Sequence, residues 1–339
     1  MSDRYATCLA ALRAQPLHWL VTGAAGFIGS HLVETLLRYD QFVCGLDNFS
    51  TGRRENLEAL ARSLSPEHIA RFRFIEGDIL DPACCLEAAK GAQLILHEAA
   101  LGSVSRSVKD PVLSNRVNVE GFLQLLLAAR ACGVRRVVYA SSSSVYGDTS
   151  HFPMVEHILG SLQSPYATTK RFNELYAQVF CRLYGMDLVG LRYFNVFGPR
   201  QNPEGEYAAV IPRWIHSRLG GQQCTIFGDG TTSRDFCYVD NVVQANLLAA
   251  TTPANITGEV FNIALGGETS LIDLYSMIDS ASSTNPADPR FTNFRPGDIH
   301  RSRADISKAS KTLGYHPAVL VADGIRRTVE YFKTSGSKR

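Results

Sequence analysis

Tyr166 and Lys170 are the two side chains whose types and spacing best suit acid–base chemistry. They stand four residues apart at the start of a stretch with helical apolar spacing, so one helix face would present both. A free tyrosine has a pKa of about 10 and is a poor base at neutral pH. A neighbouring ammonium group, or the positive ring of an oxidised nicotinamide, favours the phenolate and lowers that pKa. The pair therefore predicts proton exchange between Tyr166 and a bound hydroxyl group.

A run of serines, Ser141 to Ser144, precedes this tyrosine and follows a predicted strand at 134–140. Hydroxyl groups are costly to bury without partners. Open α/β sheets bind ligands at the carboxyl ends of their parallel strands, which is where these serines stand. We therefore expect a serine to hold the substrate hydroxyl for Tyr166, the alternative being a plain serine-rich loop.

The elements that must position this chemistry begin with a strand, a glycine loop and a helix. A continuous apolar run over 19–22 is typical of a buried parallel strand, and helical apolar spacing starts at Ile28. Between them, Gly23, Gly26 and Gly29 form a Gly-x-x-Gly-x-x-Gly pattern. The first glycine permits a tight turn, the second a close approach of the ligand, and the third close packing of helix on strand. This arrangement predicts a dinucleotide whose pyrophosphate binds at the helix N-terminus.

An acidic residue at the end of the second predicted strand supports NAD as that dinucleotide. The strand runs over 42–46 and is followed by Asp47, about 20 residues beyond the glycines. A carboxylate there suits the ribose hydroxyl groups of NAD, whereas NADP needs cations for its 2′-phosphate. Arg53 and Arg54 lie nearby, so the residues favour NAD and leave NADP open.

The third and fourth predicted strands also end in polar residues. The strand at 71–75 leads to Asp78, which we expect to bind the adenine amino group. Asp81 precedes a proline and is expected to cap a helix instead. His97 ends the strand at 93–97, and a histidine in such an apolar run is more often a hydrogen-bonded core residue than a catalyst.

Strand and helix patterns alternate through the first half of the chain. This alternation predicts an α/β fold built on a Rossmann-type, doubly wound parallel sheet. Beyond residue 195 the alternation breaks, which indicates a smaller α/β lid domain that binds the substrate. We predict an NAD-binding domain over 1–195, with a later return near 237–265, and a substrate-binding domain that is mainly 196–339.

The composition excludes several classes of protein. Basic and acidic residues number 34 and 32, a net charge of +2, so no nucleic-acid partner is implied. No apolar run approaches the length of a membrane span, and the N-terminus does not have the pattern of a signal peptide. The eight cysteines lack any Cys-x-x-Cys pair, which favours free thiols in a reducing cytoplasm and argues against a metal site.

A set of motifs spread along the chain carries a family resemblance. The motifs lie at 22–29, 46–48, 77–79, 97–100, 142–147, 166–170, 191–195, 227–230, 234–235 and 295–298. On these residues the chain resembles the extended short-chain dehydrogenase/reductase family over essentially its whole length. Its last three motifs are similar to those of nucleotide-sugar 4-epimerases, especially the bacterial UDP-N-acetylhexosamine and hexosaminuronate 4-epimerases of surface-polysaccharide synthesis.

The resemblance implies a catalytic mechanism and an NAD site. Tyr166 would take the proton of the sugar 4-hydroxyl group, which Ser142 would hold, while Lys170 would bind the nicotinamide ribose. A 4-keto sugar anchored by its UDP end could then turn over and be reduced on its other face. The implied NAD-binding residues are Gly23, Gly26, Phe27, Ile28, Gly29, Asp47, Asn48, Gly52, Asp78, Ile79, Ala99, Ala100, Asn118, Tyr166, Lys170 and Tyr193.

The resemblance also implies which residues bind the UDP-sugar. Ser302 matches a position beside the sugar 2-substituent, and its small side chain favours N-acetylated substrates because an overpacked pocket costs about 1–3 kcal/mol. Arginine at 234 and 295 would grip phosphate. The implied substrate-binding residues are Gly102, Ser103, Ser107, Ser142, Ser143, Ser144, Asn195, Ala209, Val210, Thr225, Phe227, Arg234, Arg295, Asp298 and Ser302.

At two positions the chain departs from the pattern of its relatives. The relatives also imply a dimer interface. Gly102 stands where hexose epimerases often carry lysine, and Glu98 stands where a neutral residue is more usual. Helices at about 112–131 and 166–184 form the dimer interface in relatives, so the resemblance implies a homodimer.

Other activities remain open at this stage. A 4,6-dehydratase would need Asp-Glu where this chain has Ser143 and Ser144, so its elimination step lacks an acid and a base. A uronate decarboxylase and a UDP-glucose 4-epimerase are less firmly excluded. A non-catalytic NAD-binding sensor is a further alternative, although such proteins usually lose the tyrosine or lysine that this chain keeps at 166 and 170.

Overall fold

The computed structural model describes residues 3–204, 208–282, 288–294 and 300–336. The bounds of its strands follow the predicted apolar runs closely. Within the described ranges the strands are β1 (His18–Thr22), β2 (Phe42–Asp47), β3 (Phe72–Glu76), β4 (Leu94–His97), β5 (Arg136–Ser142), β6 (Leu188–Tyr193), β7 (Val196–Phe197), β8 (Thr225–Phe227), β9 (Ser233–Arg234), β10 (Cys237–Tyr238), β11 (Val260–Ile263), β12 (Thr269–Ser270) and β13 (Arg290–Thr292).

Helices alternate with the first six strands and dominate the last third of the chain. They are α1 (Asp3–Ala14), α2 (Phe27–Arg38), α3 (Arg54–Ser63), α4 (Pro66–Ile69), α5 (Pro82–Ala89), α6 (Val104–Lys109), α7 (Pro111–Asn115), a π-helical turn (Arg116–Glu120), α8 (Gly121–Ala131), a 3₁₀ turn (Ser143–Tyr146), α9 (Pro165–Tyr184), α10 (Val210–Leu219), α11 (Val239–Thr251), α12 (Leu271–Ser282), α13 (Ser307–Leu313) and α14 (Val321–Gly336).

Seven parallel strands form the central sheet in the order β11-β6-β5-β4-β1-β2-β3. The strand order reverses beside β1, and helices cover both faces, with α2 and α11 on one side and α5, α8 and α9 on the other. Because both faces are covered, the inner strands are buried almost throughout, which explains their continuous apolar runs. The predicted doubly wound α/β fold is confirmed.

A second, smaller apolar core lies under the C-terminal helices. It joins α10, α12 and α14 through buried residues such as Trp214, Ile215, Leu274, Ile278 and Ile325. Short strands flank it, with β13 parallel to β8 and β12 antiparallel to β9. The chain enters this region after β6 and returns to the main sheet at β11, the return that was expected near 237–265.

The segment between β4 and β5 begins with a short helix that its pattern did not predict. This helix, α6, ends at Asp110, whose Oδ1 accepts the N–H of Leu113 at the start of α7, 2.9 Å away. The long helix expected at about 112–131 is present as α7, a π-helical turn and α8, with helical backbone at both junctions. Asn118 lies in the π-helical turn.

Three further predictions concern the cap of α5, the state of the cysteines and the presence of membrane-spanning helices. Asp81 caps α5, its Oδ1 accepting the N–H of Ala83 at 2.9 Å, as expected. All eight cysteines are free thiols. In the part of the chain that the structure describes, no helix combines the length and apolar character needed to cross a membrane.

Candidate active site

The glycine loop closes tightly between β1 and α2. Gly23 adopts φ +69°, and a Cβ there would lie 2.8 Å from the backbone N of Ala99. A Cβ on Gly29 would lie 2.0 Å from the carbonyl O of Gly23. Both positions require glycine, one for conformation and close approach and the other for packing of α2 on the turn. Bare backbone therefore faces the cleft at the N-terminus of α2.

A cleft of about 910 Å³, including its open mouth, follows this loop along the carboxyl ends of the strands. It brings together most residues that were expected to bind NAD, together with others that were not expected to do so. The expected NAD-binding residues are Gly23, Gly26, Phe27, Ile28, Gly29, Asp47, Asn48, Asp78, Ile79, Ala99 and Ala100; the others are Gly102, which was expected to bind substrate, and Leu46, Ser50, Thr51, Gly77, Glu98 and Val117.

Asp47 organises the loop after β2. Its Oδ2 accepts the N–H of Ala25 at 2.9 Å and its Oδ1 accepts the N–H of Phe49 at 2.8 Å. Burial raises the pKa of this carboxyl, while those backbone bonds lower it. Gly52 lies against the carboxylate, since a Cβ there would be 2.8 Å from Oδ1. Asp47 thus joins the glycine loop to its own loop at the wall of the cleft.

The neighbouring polar residues fit NAD better than NADP. Asn48 donates to Asp78 Oδ2 at 2.9 Å, so the ends of β2 and β3 present a joined amide and carboxylate to the cleft. Arg54 is bonded to Glu76 at 2.8 Å and stacks over Phe49. A guanidinium paired with a carboxylate in this way is poorly placed to neutralise a 2′-phosphate. This donor set fits the unphosphorylated dinucleotide.

Lys170 is buried on α9 behind the end of β5. Its Nζ donates to the carbonyl O of Ala140 at 2.9 Å, and its side chain is 2% exposed. Burial lowers the pKa of Lys170 to about 8, and the charge of Glu98 opposes that change. Its surroundings therefore bring the pKa of the ammonium group closer to neutral pH.

Ser142 interacts with the hydroxyl group of Tyr166, which lies one helical turn before Lys170 on α9. Ser144 Oγ donates to Ser142 Oγ at 3.0 Å. The expected lowering of the Tyr166 pKa does not hold for the protein by itself. Burial raises the pKa, Glu98 adds to the rise, and the Ser142 bond opposes it. The desolvation of the phenol outweighs the effect that the spacing of Tyr166 and Lys170 predicted.

Two residues expected to touch ligands fix the start of α9. Ser107 is fully buried; its Oγ accepts the Tyr166 N–H at 2.9 Å and donates to the carbonyl O of Val104 at 2.7 Å. Asn118 is also buried; its Oδ1 accepts the Leu101 N–H at 2.7 Å, and its Nδ2 donates to Thr169. Their hydrogen bonds position Tyr166 and the loop after β4, and their contacts with ligands stay a prediction.

A buried ion pair between Glu174 and Arg192 binds the first residue of the serine run. Ser141 Oγ donates to Glu174 Oε1 at 2.7 Å, and Arg192 on β6 donates to both oxygens of that carboxylate. Sequence reasoning missed this network. A signal was present, because Glu174 follows Lys170 by four residues and so shares its helix face. The first serine of the run therefore serves the fold, and substrate contact by the next three stays a prediction.

Residues at the mouth of the cleft have local hydrogen-bonding roles. Ser103 adopts φ +138° and caps α6 by accepting the N–H of Arg106 at 3.2 Å. Gly102 is exposed and lines the cleft. His97 is a core residue, as expected, because it is 2% exposed and its Nδ1 lies 2.7 Å from Thr22 Oγ1.

The expected substrate-binding residues beyond β6 lie on several elements of the C-terminal region. Asn195 Nδ2 donates to the carbonyl O of Asp235 at 3.1 Å, and Arg234 Nη1 donates to the carbonyl O of Ser233 at 2.9 Å. Ser302 is 6% exposed and its N–H donates to the same Ser233 oxygen at 3.2 Å. Ala209 and Val210 begin α10, Thr225 and Phe227 bound β8, and Arg295 and Asp298 lie outside the described residues.

The fold and the site together define a dinucleotide-dependent enzyme whose tyrosine, lysine and serine lie at the carboxyl edge of a doubly wound sheet. In the described ranges, no cluster of side chains could hold a metal ion. A model of the NAD dependent epimerase/dehydratase family matches residues 19–264. The chain belongs to that family, and its cofactor is NAD.

Several proteins are similar to this chain over nearly its whole length, in sequence and, where solved, in structure. A UDP-glucose 4-epimerase of Mycolicibacterium smegmatis is 43% identical, covering 93% of this chain and 98% of the relative. A UDP-N-acetylglucosamine 4-epimerase of Methanobrevibacter ruminantium, solved with UDP-N-acetylmuramic acid, is 37% identical with a TM-score of 0.87, covering 95% and 99%. A UDP-glucuronic acid 4-epimerase of Bacillus cereus, solved with UDP-glucuronic acid and NAD, is 36% identical with a TM-score of 0.84, covering 94% and 100%.

Proposed function

We propose that the protein is a UDP-N-acetylhexosamine 4-epimerase, which interconverts UDP-N-acetylglucosamine and UDP-N-acetylgalactosamine or their uronates. The observation that carries the proposal is the convergence of three side chains at the end of β5, where Ser142 interacts with the Tyr166 hydroxyl group and the buried Lys170 donates to the carbonyl O of Ala140. Three similar proteins named as 4-epimerases of UDP-sugars support the reaction class.

Each of the three residues has a distinct task in this reaction. Ser142 holds the sugar 4-hydroxyl group, and Tyr166 as the phenolate removes its proton. Lys170 supplies the positive charge that favours the phenolate. NAD, held in the cleft by residues such as Gly23, Gly26 and Asp47, would supply a reversible hydride acceptor for the C4 carbon. Tyr166 then gives the proton back to the new hydroxyl group, so the protein ends the cycle unchanged.

The serines beside Ser142 favour epimerisation over dehydration. Elimination of water needs an acid and a base next to the residue that holds the 4-hydroxyl group. Ser143 and Ser144 are neutral, and Ser144 is engaged with Ser142. A hydroxyl group has a pKa far from neutrality and cannot take the place of a carboxylate in that step.

The choice of an N-acetylated sugar rests on Ser302. Its side chain is small and buried beside the chain at Ser233. A larger side chain at this position would fill the room beside the sugar 2-substituent at a cost of about 1–3 kcal/mol, a factor of about 5–150 in rate. UDP-glucose is the second candidate substrate, favoured by the relative of 43% identity.

The test is a direct assay of the purified protein without added NAD. UDP-N-acetylglucosamine, UDP-N-acetylgalactosamine, their uronates and UDP-glucose are supplied separately, and the products are resolved by chromatography. The proposal expects interconversion of the N-acetylated pair, with a higher kcat/KM than for UDP-glucose and no net NADH. A preference for UDP-glucose would transfer the assignment to the second candidate.

Ser302→Tyr separates the two candidates within one protein. It is expected to lower kcat/KM for the N-acetylated sugar by about 10–100-fold. NAD content and turnover of UDP-glucose serve as controls for folding. An equal loss of kcat/KM for both substrates would show that Ser302 does not determine the choice of substrate.

The same proposal includes a homodimer. Apolar side chains stand exposed on the two helices that the resemblance singled out, and we call these residues the α8–α9 surface. Exposed patches of this kind commonly mark protein interfaces. The surface consists of Leu127 on α8 and Phe172, Leu175, Val179 and Leu183 on α9.

A further inference from the structure

Asp235 is a buried acidic residue that has no part in the proposed reaction. It lies between β9 and β10, is 1% exposed, and belongs to the sequence motif at 234–235, of which only the arginine was given a role. Its Oδ1 accepts the N–H of Leu265 at 2.9 Å, and its Oδ2 accepts the N–H groups of Gly266 at 3.0 Å and Ala304 at 3.2 Å. A buried carboxylate is costly unless donors of this kind satisfy it, so the three bonds stabilise the ionised form.

The three N–H groups belong to two different parts of the fold. Leu265 and the glycine after it lie just beyond β11, the strand at one edge of the central sheet. Ala304 lies two residues after Ser302, within residues 301–305, which we call the Ser302 segment. The Asp235 carboxylate therefore joins the end of the central sheet to the Ser302 segment.

Three of the expected substrate-binding residues lie beside Asp235. Asn195, just after β6, donates from Nδ2 to the backbone carbonyl O of Asp235 at 3.1 Å. Arg234 is its neighbour in the chain, and the N–H of Ser302 donates to the carbonyl O of Ser233 at 3.2 Å. The position of the Asp235 carboxylate therefore affects how the groups expected at the diphosphate and at the sugar are placed relative to each other.

The Ser302 segment is also held by contacts that do not involve Asp235. The N–H of Met154 donates to the carbonyl O of Arg303 at 2.9 Å, and the N–H of Asp305 donates to the carbonyl O of Met154 at 2.9 Å. These bonds remain when Asp235 is replaced. Loss of its charge is therefore expected to shift the segment and not to unfold it.

We propose that Asp235 is a positioning residue of the substrate site, whose carboxylate fixes the Ser302 segment against Arg234 before a UDP-sugar binds. A site that is formed in advance binds its ligand more tightly, because ordering its segments then takes nothing from the binding free energy. The inference rests on the proposed function, since it assigns these segments to the binding of a UDP-sugar.

The surroundings of Asp235 make its charge sensitive to pH. Burial raises the pKa of this carboxyl to about 6, while its three backbone bonds and the charge of Arg303 oppose the rise. Cys237 on β10 and Tyr315 after α13 also interact with Asp235, and both are neutral acids because burial raises their pKa values. Asp235 therefore gains a proton as the pH falls through about 6. The protonated oxygen then opposes an N–H group that it had accepted.

The first test compares Asp235→Asn with Asp273→Asn, the same substitution at an exposed position near the start of α12. Binding of UDP-N-acetylglucosamine to the NAD-loaded proteins is measured by calorimetry, and kcat and KM by the direct assay. Asp235→Asn is expected to raise Kd and KM about tenfold and to keep kcat within about twofold, because it affects positioning and leaves the reacting groups in place. Asp273→Asn, and the NAD content of both variants, should match the wild type. A loss confined to kcat, or an unchanged Kd, would overturn the proposal.

The second test includes the wild-type protein at two pH values, so it can be made even if Asp235→Asn fails to fold. The Kd for UDP-N-acetylglucosamine is measured at pH 7.5 and pH 5.5, an interval in which a diphosphate esterified at both ends does not titrate. Protonation of Asp235 predicts a Kd about threefold higher at the lower pH, since only the ionised fraction is competent to bind. The Kd of Asp235→Asn should stay constant. An unchanged wild-type Kd, or an equal change in the variant, would overturn the proposal.

These measurements distinguish the two proposals. A wild-type protein that binds UDP-N-acetylglucosamine without converting any UDP-sugar would refute the proposed function, while the comparisons of Kd would still decide the role of Asp235. If UDP-glucose alone binds, the same comparisons are made with that sugar. A protein that binds no UDP-sugar would overturn both proposals.

Discussion

At the scale of single residues, the environment of Tyr166 decides the chemistry. The phenol interacts with Ser142, and burial raises its pKa rather than lowering it in the protein by itself. In the proposed reaction, the phenolate therefore needs positive charge, from Lys170 within the protein and from the oxidised nicotinamide when bound. This requirement couples the reactivity of the tyrosine to the presence of the cofactor.

Replacing Tyr166 by phenylalanine tests its role directly. Tyr166→Phe is expected to lower kcat by about 10²–10⁴-fold, because it removes the group that exchanges the proton. NAD released on denaturation should remain at the wild-type ratio. Tyr184→Phe is the matched control, since Tyr184 lies at the exposed end of the same helix. Normal turnover by Tyr166→Phe would exclude the assigned role.

His97 makes the stability of the protein dependent on pH. Burial lowers its pKa to about 3, whereas the unfolded chain binds a proton on this residue near pH 6.5. The stability from neutral His97 is present above pH 6.5 and is lost as the pH falls toward 3. Each pH unit in that interval costs up to about 1.4 kcal/mol.

Urea unfolding at several pH values checks this prediction. Between pH 6 and pH 4.5, wild-type protein should lose unfolding free energy more steeply than His97→Gln, which keeps a polar partner for Thr22 without the titration. Equal slopes for the two proteins would show that His97 does not carry the effect.

At the scale of elements, the strands and most helices follow directly from the apolar pattern. β1 to β6 were predicted because strands buried on both faces are continuously apolar. The start of the segment between β4 and β5 was predicted less well, since α6 is short and ends at Asp110. Short helices contain too few turns for their periodicity to appear in the sequence.

The turn between β1 and α2 is the element most sensitive to substitution. Gly29→Ala would place a Cβ 2.0 Å from the carbonyl O of Gly23, so the glycine loop must shift. We expect the purified variant to contain at least tenfold less NAD, measured by absorbance after denaturation. Gly267→Ala is the control, because a Cβ there meets nothing within 4 Å. Full NAD content in Gly29→Ala would show that the loop tolerates the shift.

At the scale of the whole molecule, a substitution in the α8–α9 surface tests the proposed dimer. Val179→Asp places a charge within that surface, which should be unfavourable to bury against a second copy. The mass of the Val179→Asp variant in solution, measured by light scattering, is expected to fall to that of the monomer. Leu320→Asp, at a more exposed apolar site outside the two helices, should leave the mass unchanged. Equal masses for wild type and Val179→Asp would contradict this interface.

The sequence by itself determined the features that depend on local spacing. The glycine turn, the parallel sheet and the four-residue interval between Tyr166 and Lys170 are periodic or contiguous, so their physical consequences can be derived from the residues alone. Tertiary structure decided the features that depend on contacts between distant segments. The burial of Ser107 and Asn118 and the direction of the Tyr166 pKa change are of this kind. Desolvation and hydrogen bonding depend on neighbours that only the folded chain brings together, as Tyr193 and Glu98 show across 95 residues.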